Sequence, residues 1–263
     1  MRRSSLPSSS HRPARAPHVA RKRFGQHFLH DPGVIRKIVE AIAPSADDAI
    51  VEIGPGEGAL TRPLLERVKR LEVIEIDRDL AAALPGERIR VHVADALEFD
   101  FGVFPAGVRI VGNLPYNIST PLLFHLARYA GRVRDLHFML QLEVVERMVA
   151  RPSTPEYGRL SVMLQTRFAM QKLFRVAPGA FRPPPKVDSA VVRMVPLGAP
   201  LGCDEKVFER VVREAFSARR KTLRNALSLE PADYTQLGID PKLRPENLSP
   251  LDYVRIARRV GAR

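Results

Sequence analysis

Short apolar runs alternate along the first two thirds of the chain with stretches in which apolar residues recur at helical spacing. The runs have the length of buried strands and occupy residues 49–53, 71–76, 89–93, 108–111 and 136–140. Apolar residues three and four apart predict helices at residues 32–42, 59–68, 119–127 and 144–149. This alternation is typical of an open, parallel α/β sheet, which keeps its chemistry at the carboxyl ends of the strands.

The pattern changes after residue 150. Residues 157–168 predict a further helix, and residues 173–176 and 190–195 predict two strands. These two strands are expected to pair antiparallel, because a proline-rich loop rather than a helix joins them. Beyond a linker at residues 196–200 the sequence becomes helical and basic. We expect three parts: a disordered basic tail at residues 1–20, an α/β domain at 21–198 and a helical domain at 199–263.

Composition supports a folded protein that binds nucleic acid. The chain has 263 residues, 45% of them hydrophobic, which is enough for a substantial core. Its 42 Lys and Arg residues against 29 Asp and Glu give a net charge of +13, as expected for a nucleic-acid partner. An anionic membrane is the weaker alternative, since no apolar run is long enough to span a bilayer. A single cysteine, Cys203, excludes an internal disulfide framework and points to the reducing cytoplasm.

Two basic segments are candidates for RNA contact. Residues 1–23 contain no acidic residue and several serines and prolines, which favours a solvated or RNA-touching tail over an organelle transit peptide. The chain becomes helical and basic beyond the linker, with one apolar stripe at residues 207–216 and basic residues crowding the remainder of the surface: Arg210, Arg213, Arg219, Arg220, Lys221 and Arg224. A solvated helix face is the alternative, but one-sided charge favours an RNA backbone.

A glycine-rich turn follows the first of the five strand runs. Gly54 and Gly56 would let the backbone turn sharply beside a ligand at a helix N-terminus, and Glu75 lies twenty-one residues after Gly54. Strand, glycine turn, helix, strand and acid in this order predict a site for an adenosine-containing ligand. Asp95 and Ala96 follow the third run, where the carboxylate accepts from an adenine amino group or caps the next segment; the two roles are compatible.

The loop that follows the fourth run reads Asn113-Leu114-Pro115-Tyr116. Proline keeps this strand exit extended, so an amide side chain, an outward carbonyl and a phenol lie within four residues. Such a set can accept hydrogen bonds from an amino group and stack on a flat base, although an ordinary strand-end turn has the same composition. Phe181, on the proline-rich loop, is either a hydrophobic plug or a second stacking surface. Gln26 and His27 are candidates for a pocket lining.

Six motifs together resemble the ribosomal RNA small-subunit adenine N6,N6-dimethyltransferase family. They are the segments beginning at Arg23 (Arg-Phe-Gly-Gln), Val51 (Val-Glu-Ile-Gly-Pro-Gly), Val73 (Val-Ile-Glu-Ile-Asp), Asn113 (Asn-Leu-Pro-Tyr-Asn-Ile-Ser-Thr-Pro), Phe181 (Phe-Arg-Pro-Pro-Pro-Lys-Val-Asp-Ser) and Phe216 (Phe-Ser-Ala-Arg-Arg-Lys-Thr-Leu). The resemblance runs from about Arg21 to the C-terminus. It implies a Rossmann-like, seven-stranded methyltransferase sheet with a small all-helical C-terminal domain that binds RNA.

The resemblance also implies the ligand, S-adenosyl-L-methionine, and its contacts. Those expected from the family are His27, Leu29, Gly54, Glu75, Asp95 and Asn113, and we add Gln26, Gly56 and Ala96 from their places in the same segments. Many relatives carry Asn where this chain has His27, which leaves the role of that side chain open. No metal is expected, since no His, Cys or carboxylate lies at ligand spacing to His27.

The implied reaction is dimethylation of two adjacent adenosines in a hairpin of 16S ribosomal RNA, by a cytoplasmic monomer acting on the small ribosomal subunit. Asn113 and the Leu114 carbonyl would accept the two amino hydrogens, while Tyr116 and Phe181 would sandwich the flipped base. The alternatives are an antibiotic-resistance enzyme for large-subunit RNA, a non-catalytic RNA-binding assembly factor and, from the glycine turn alone, a nicotinamide dehydrogenase.

Overall fold

A mixed sheet forms the centre of the molecule. The computed structural model describes residues 26–84, 86–198 and 201–262, so the predicted basic tail at residues 1–20 lies outside the described residues. The described chain contributes seven strands to this sheet: β2 (Ile50–Ile53), β3 (Leu71–Glu75), β4 (Ile89–Val93), β5 (Val108–Asn113), β6 (Val133–Gln141), β7 (Phe168–Val176) and β9 (Ser189–Pro196). Their order is β4-β3-β2-β5-β6-β9-β7. Two further strands of two residues each, β1 (Phe28–Leu29) and β8 (Phe181–Arg182), lie outside this sheet.

Strand direction follows the connections. β2 to β6 are parallel to one another, and β9 lies between β6 and β7 antiparallel to both. This confirms the predicted seven-stranded Rossmann-like sheet and its antiparallel end. The switch in strand order between β2 and β5 opens a crevice at the carboxyl ends of the strands, where such sheets bind ligands.

Helices cover both faces of the sheet and form the C-terminal part. In chain order they are α1 (Pro32–Ile42), α2 (Thr61–Leu65), α3 (Arg78–Ala83), α4 (Ser119–Ala127), α5 (Leu142–Val149), α6 (Arg159–Gln165), α7 (Glu205–Ser217), α8 (Leu223–Ala226), α9 (Pro231–Leu237) and α10 (Pro250–Gly261). Asp31 caps α1 by accepting from the Val34 N–H at 2.9 Å, as its position before Pro32 predicts. None of the described helices is long and apolar enough to cross a membrane.

The C-terminal helices share their core with the α/β part. Phe208 and Val212 of α7 are fully buried beside Tyr157, Val162 and Met163, which precede or belong to α6. The Tyr157 hydroxyl donates to the Leu248 carbonyl at 2.9 Å and adds a polar tie between the two parts. The domain boundary between residues 198 and 199 stays a prediction, but the helices pack on α6 rather than standing apart.

Two expectations about local structure were wrong. The helix predicted at residues 157–168 ends at Gln165, and Phe168 begins strand β7. The apolar spacing misled because Phe168 is buried in the sheet core, where its spacing to Leu164 imitates a helix face. The second wrong expectation concerns the basic residues assigned to the helical surface around the stripe at 207–216: α7 ends at Ser217, so Arg219 to Lys221 lie in the turn beyond it and Arg224 belongs to α8.

The paired strands β1 and β8 were not anticipated. Phe28 lies opposite Arg182 and Leu29 opposite Phe181 in this antiparallel pair. The pair brings the segment before α1 against the proline-rich loop, although some 150 residues separate them in the chain. It therefore forms one wall beside the carboxyl ends of β2 and β5.

Candidate active site

One pocket collects almost all of the predicted site residues. It lies at the carboxyl ends of the parallel strands and its lining includes all nine residues expected to bind the methyl donor: Gln26, His27, Leu29, Gly54, Gly56, Glu75, Asp95, Ala96 and Asn113. Leu114 and Tyr116 line it as well. The strand-end loops and β1 thus bring together segments that are far apart in sequence.

At the glycine turn the pocket is lined by backbone atoms without side chains. Gly54 and Gly56 have φ angles of +65° and +57°, the left-handed region that favours glycine. A Cβ on Gly56 would lie 3.1 Å from the Phe28 ring, so a side chain there would also press on β1. The turn is anchored by the Gly54 N–H, which donates to the Ile74 carbonyl at 2.9 Å. These features fit the close approach of a ligand to the backbone.

Glu75 is held in one orientation at the end of β3. Its two carboxylate oxygens accept from the Gly56 N–H at 3.2 Å and the Asp77 N–H at 2.9 Å. Burial raises the pKa of Glu75 above its ordinary value, while these backbone donors oppose the change. Each oxygen has a second lone pair, so the fixed carboxylate can still accept from ligand hydroxyl groups.

A second carboxyl group in the pocket, Glu52, was missed by the sequence analysis. It is 2% exposed on β2, and its Oε2 accepts from the Thr61 hydroxyl at 2.7 Å. Burial raises the pKa of Glu52 to about 7, and the charge of Glu75 adds to the effect. The available signal was an acidic residue inside an otherwise apolar run, directly before the glycine turn.

Asp95, Ala96 and Ile76 form the far side of the pocket. Asp95 Oδ1 accepts from the Leu97 N–H at 2.9 Å and caps a turn, because no helix follows it. Ile76 was also missed: it is 45% exposed although apolar, directly after Glu75. An exposed aliphatic side chain beside a carboxylate suits the face and edge of a purine base.

The loop after β5 places an amide at the edge of the pocket. The Asn113 Nδ2 donates to the His27 carbonyl at 3.0 Å, and the Leu114 N–H donates to the Met139 carbonyl at 3.1 Å. With its amide nitrogen bound on one side, Asn113 keeps Oδ1 as an acceptor. Leu114 is buried, so its side chain locks the loop into the core.

Tyr116 is fixed through its hydroxyl group. The phenol oxygen lies 2.7 Å from Ser189 Oγ, at the start of β9. Burial raises the pKa of Tyr116, and the charge of Asp188 raises it further, so the phenol stays neutral at physiological pH. The His27 ring lies against Tyr116, with the ring centroids 5.4 Å apart.

Phe181 is the one predicted site residue that the structure does not bring to the pocket. It is 2% exposed and belongs to the core beneath α1, opposite Leu29 in the β1–β8 pair. In this arrangement its ring has no free face for a base, because neighbouring apolar side chains surround it. The hydrophobic plug, the other of the two interpretations of Phe181, describes its position.

Similarity to known proteins covers nearly the whole chain. A family model described as "Ribosomal RNA adenine dimethylase" matches residues 17–261. The chain belongs to this family. Relatives named ribosomal RNA small subunit methyltransferase A include that of Aromatoleum aromaticum, 60% identical over 254 residues, with 94% of this chain and 96% of that protein covered. That of Chromobacterium violaceum is 58% identical, with 94% and 98% covered.

Two solved structures of similar fold are described as a dimethyladenosine transferase and an rRNA methyltransferase. A dimethyladenosine transferase from Plasmodium falciparum has a TM-score of 0.78 and 26% identity, with 88% of this chain and 96% of that chain covered. The 23S rRNA methyltransferase ErmE has a TM-score of 0.67 and 28% identity, with 88% and 98% covered. The family predicted from the motifs and the methyltransferase fold are therefore confirmed.

Membership in the ribosomal RNA adenine dimethylase family makes the protein an enzyme, an rRNA adenine dimethyltransferase. It implies the use of S-adenosylmethionine, and the bare glycine backbone and oriented Glu75 of the pocket fit a ligand with ribose hydroxyls. It favours the methyltransferase interpretation over the dehydrogenase and the non-catalytic factor. Among the described residues, no group of three His, Cys, Asp or Glu side chains is placed to hold a metal ion.

Proposed function

We propose that this protein methylates N6 of two adjacent adenosines in a hairpin of 16S ribosomal RNA, twice each, during assembly of the small ribosomal subunit. The names of relatives at 58 to 60% identity support this substrate. The net charge of +13 supports a large nucleic-acid partner. We propose a cytoplasmic monomer that needs no metal.

The donor site in this proposal is the pocket at the carboxyl ends of β2 to β5. Glu75 would accept from the ribose hydroxyls, Asp95 from the adenine amino group, and Ile76 would cover the adenine face. The backbone of Gln26, His27 and the glycine turn would surround the amino-acid end. S-adenosylmethionine supplies an electrophilic methyl group on its sulfonium, so what remains for the protein is chiefly to position the acceptor.

The acceptor site rests on one observation, the fixed amide of Asn113. Because its Nδ2 is bound to the His27 carbonyl, Oδ1 is the group left to receive an amino hydrogen of the target adenine. The Leu114 carbonyl, next in the chain, would accept the other hydrogen. Two acceptors draw the amine away from conjugation with the ring and towards tetrahedral geometry, which makes its lone pair available.

Tyr116 would stack on the flipped base. Its ring is held by the Ser189 hydroxyl and stays uncharged, as a stacking surface requires. No strong general base is needed, because the proton of the methylated amine is acidic enough to leave to water. The second transfer requires the first methyl to turn aside, so the pocket must leave room beside the amine.

RNA contact is proposed for exposed basic residues after and on α7: Arg210, Arg213, Arg220, Lys221 and Arg224. Arg219 is set apart from them. Its Nε donates to Glu246 at 2.7 Å and its Nη2 donates to the Pro155 carbonyl at 2.7 Å, so it ties the C-terminal helices to the segment before α6. Charges without such partners are the ones left for phosphates.

The test combines a substrate assay with one variant. Labelled S-adenosylmethionine and small subunits that lack the modification should yield dimethyladenosine in 16S RNA, detected by mass spectrometry of nucleosides. Asn113→Ala should abolish transfer while the Kd of the donor changes little. Label in large-subunit RNA instead would favour the resistance-type activity, and transfer to no RNA would reject an enzyme acting on ribosomes. Equal loss of donor binding and transfer in Asn113→Ala would refute the acceptor role.

A further inference from the structure

His27 contacts both the loop after β5, which forms the proposed acceptor site, and the start of the proline-rich loop. Its carbonyl oxygen accepts from Asn113 Nδ2, its ring lies against Tyr116, and its Nδ1 lies 2.7 Å from the Pro183 carbonyl. The carbonyl contact to Asn113 is made by backbone and does not require histidine. The other two contacts are made by the imidazole ring and depend on the side chain.

We propose that the His27 side chain is a positioning residue that fastens the start of the proline-rich loop, residues 183–188, beside Tyr116 of the acceptor site. This inference rests on the proposed methylation of adenine at Asn113 and names a residue that acts through others. The proposal depends on the hydrogen bond that His27 Nδ1 donates to the Pro183 carbonyl, which holds the first residue of the loop.

The partner atom determines which nitrogen of His27 carries hydrogen. A peptide carbonyl can only accept, so Nδ1 is the donor at 2.7 Å. Donation at Nδ1 sets the plane of the ring, and the ring centroids of His27 and Tyr116 then lie 5.4 Å apart at an interplanar angle of 30°. The same bond therefore orients the face that packs on Tyr116.

His27 and Tyr116 each help to hold one end of the loop, and Asp188 adds further contacts at the second end: its carbonyl accepts from the Leu142 N–H at 2.9 Å and its carboxylate pairs with Arg175. At its start the Pro183 carbonyl accepts from His27, and just after its end Ser189 is hydrogen-bonded to Tyr116 at 2.7 Å. Because the rings of Tyr116 and His27 are in contact, these two side chains connect the start of the loop to its end. Release of the His27 bond would free the start of the loop, while the contacts of Asp188 and Ser189 would still hold its end.

The fold does not need this bond. The β1–β8 pair and the buried Leu29 and Phe181 hold the neighbouring backbone, and the His27 bond lies on the exposed side of the pocket. Loss of the bond should therefore leave melting and donor affinity nearly unchanged. It should slow the chemical step, because a misplacement of about 1 Å at a reacting group can cost on the order of a hundredfold in rate.

Three substitutions separate the hydrogen bond from the ring. Asn places its side-chain N–H close to the position of imidazole Nδ1, so His27→Asn keeps the donor and loses the ring. His27→Phe keeps a ring and loses the donor, and His27→Ala loses both. His30→Ala is the matched control, since His30 is an exposed histidine three residues along that does not line the pocket.

The first readout needs no RNA and no activity. Lys186 is the one trypsin site in the loop that is not followed by proline, so the rate of cleavage after Lys186 in native protein reports opening of the loop. With a net hydrogen-bond contribution of about 1 kcal/mol, cleavage should be about fivefold faster in His27→Ala and His27→Phe. Cleavage should match wild type in His27→Asn and His30→Ala.

The second readout is single-turnover methyl transfer to small subunits at saturating donor. We expect the rate to fall about 10-fold to 100-fold in His27→Ala and His27→Phe, with His27→Asn near wild type and the donor Kd within about twofold throughout. Wild-type cleavage and rate in His27→Ala would overturn the inference. If the rate is near wild type in His27→Phe but not in His27→Asn, ring packing rather than the hydrogen bond is responsible, and the inference is overturned. It is also overturned if donor affinity falls in parallel with the rate, because His27 would then act by binding the methyl donor. An inactive wild type would reject the proposed function, and the cleavage rates would still decide whether His27 holds the loop.

Discussion

Glu52 offers the sharpest physical prediction about this molecule. The carboxyl group is 2% exposed on β2, and burial raises its pKa from an ordinary 4.5 to about 7. In the unfolded chain the same group loses its proton near its ordinary pKa. Between these two values the folded state binds the proton and the unfolded state does not, so stability falls as pH rises through the interval. The difference amounts to about 3 kcal/mol once the pH exceeds the folded-state pKa.

Replacement of Glu52 by Gln removes this titration and keeps the shape of the side chain. The Gln side-chain oxygen can still accept from the Thr61 hydroxyl. Relative to wild type, Glu52→Gln should gain stability steadily between about pH 4.5 and pH 7, to a total of about 3 kcal/mol. Urea unfolding without ligand, repeated from pH 5 to pH 8, measures this gain.

The other titratable groups contribute equally to the stability of wild type and variant, so their contributions cancel in the comparison. Burial lowers the pKa of His137 to about 4, so its contribution is present above its ordinary pKa and is lost as the pH falls, in wild type and variant alike. Glu57→Gln, which neutralises an exposed carboxylate in the same glycine turn, is the control and should follow the pH dependence of wild type. Parallel stability curves for Glu52→Gln and wild type would refute the reasoning, because they would show that Glu52 is ionised throughout.

Ligand binding should be linked to the same proton. The donor carries a positive sulfonium, and a cation that enters the pocket favours the ionised form of Glu52. Near pH 6.5 the binding of donor should therefore release protons in wild type and fewer in Glu52→Gln. Titration calorimetry in two buffers of different ionisation enthalpy counts them, and equal release in both proteins would contradict the link.

Two further predictions concern β5 and the basic surface. A Cβ at Gly112 would lie 2.5 Å from the Ile53 carbonyl oxygen in the neighbouring strand. Gly112→Ala should therefore lower the free energy of unfolding by about 1 to 3 kcal/mol and, by displacing Asn113, lower kcat. Unchanged Tm and kcat would contradict the packing argument. Replacement of both Arg220 and Lys221 by Ala should reduce the slope of log affinity for the small subunit against log salt concentration by about two, with no change in donor affinity. An unchanged slope would show that neither residue contacts RNA.

The parallel half of the sheet could be predicted from the sequence because each of its signals is local. A buried parallel strand is a short apolar run, and the glycine turn and Glu75 stand at fixed positions after two such runs. The structure places Gly54, Gly56 and Glu75 in one pocket, as that spacing implies. These features follow from chain neighbours, so they do not depend on how distant segments pack.

Glu52 and Ile76 were missed although they lie beside recognised motifs, whereas other missed features depend on distant contacts. Strands β1 and β8 have two residues each, which is too short for any periodicity, and their pairing joins residues about 150 apart. Phe181 is buried in a core that includes Leu29, its partner in this pair, and side chains of α1. Arg219 belongs to the basic cluster in sequence, yet Glu246 and the Pro155 carbonyl occupy its guanidinium in the fold. Composition shows that such residues are basic or apolar, but not which partner they will meet.

The β1–β8 pair also connects the proposed donor site to the proposed acceptor site. Phe28 lies beside Gly56 at the floor of the donor pocket, and its strand partner Arg182 leads directly into the loop that begins at Pro183. His27, the preceding residue, bonds to Asn113 through its backbone and to Pro183 through its ring. A displacement of this short strand would therefore move the wall of the donor pocket and the acceptor loop together. In the proposed function, the alignment of methyl group and amine would therefore depend on this two-residue strand pair between distant segments, in addition to the central sheet.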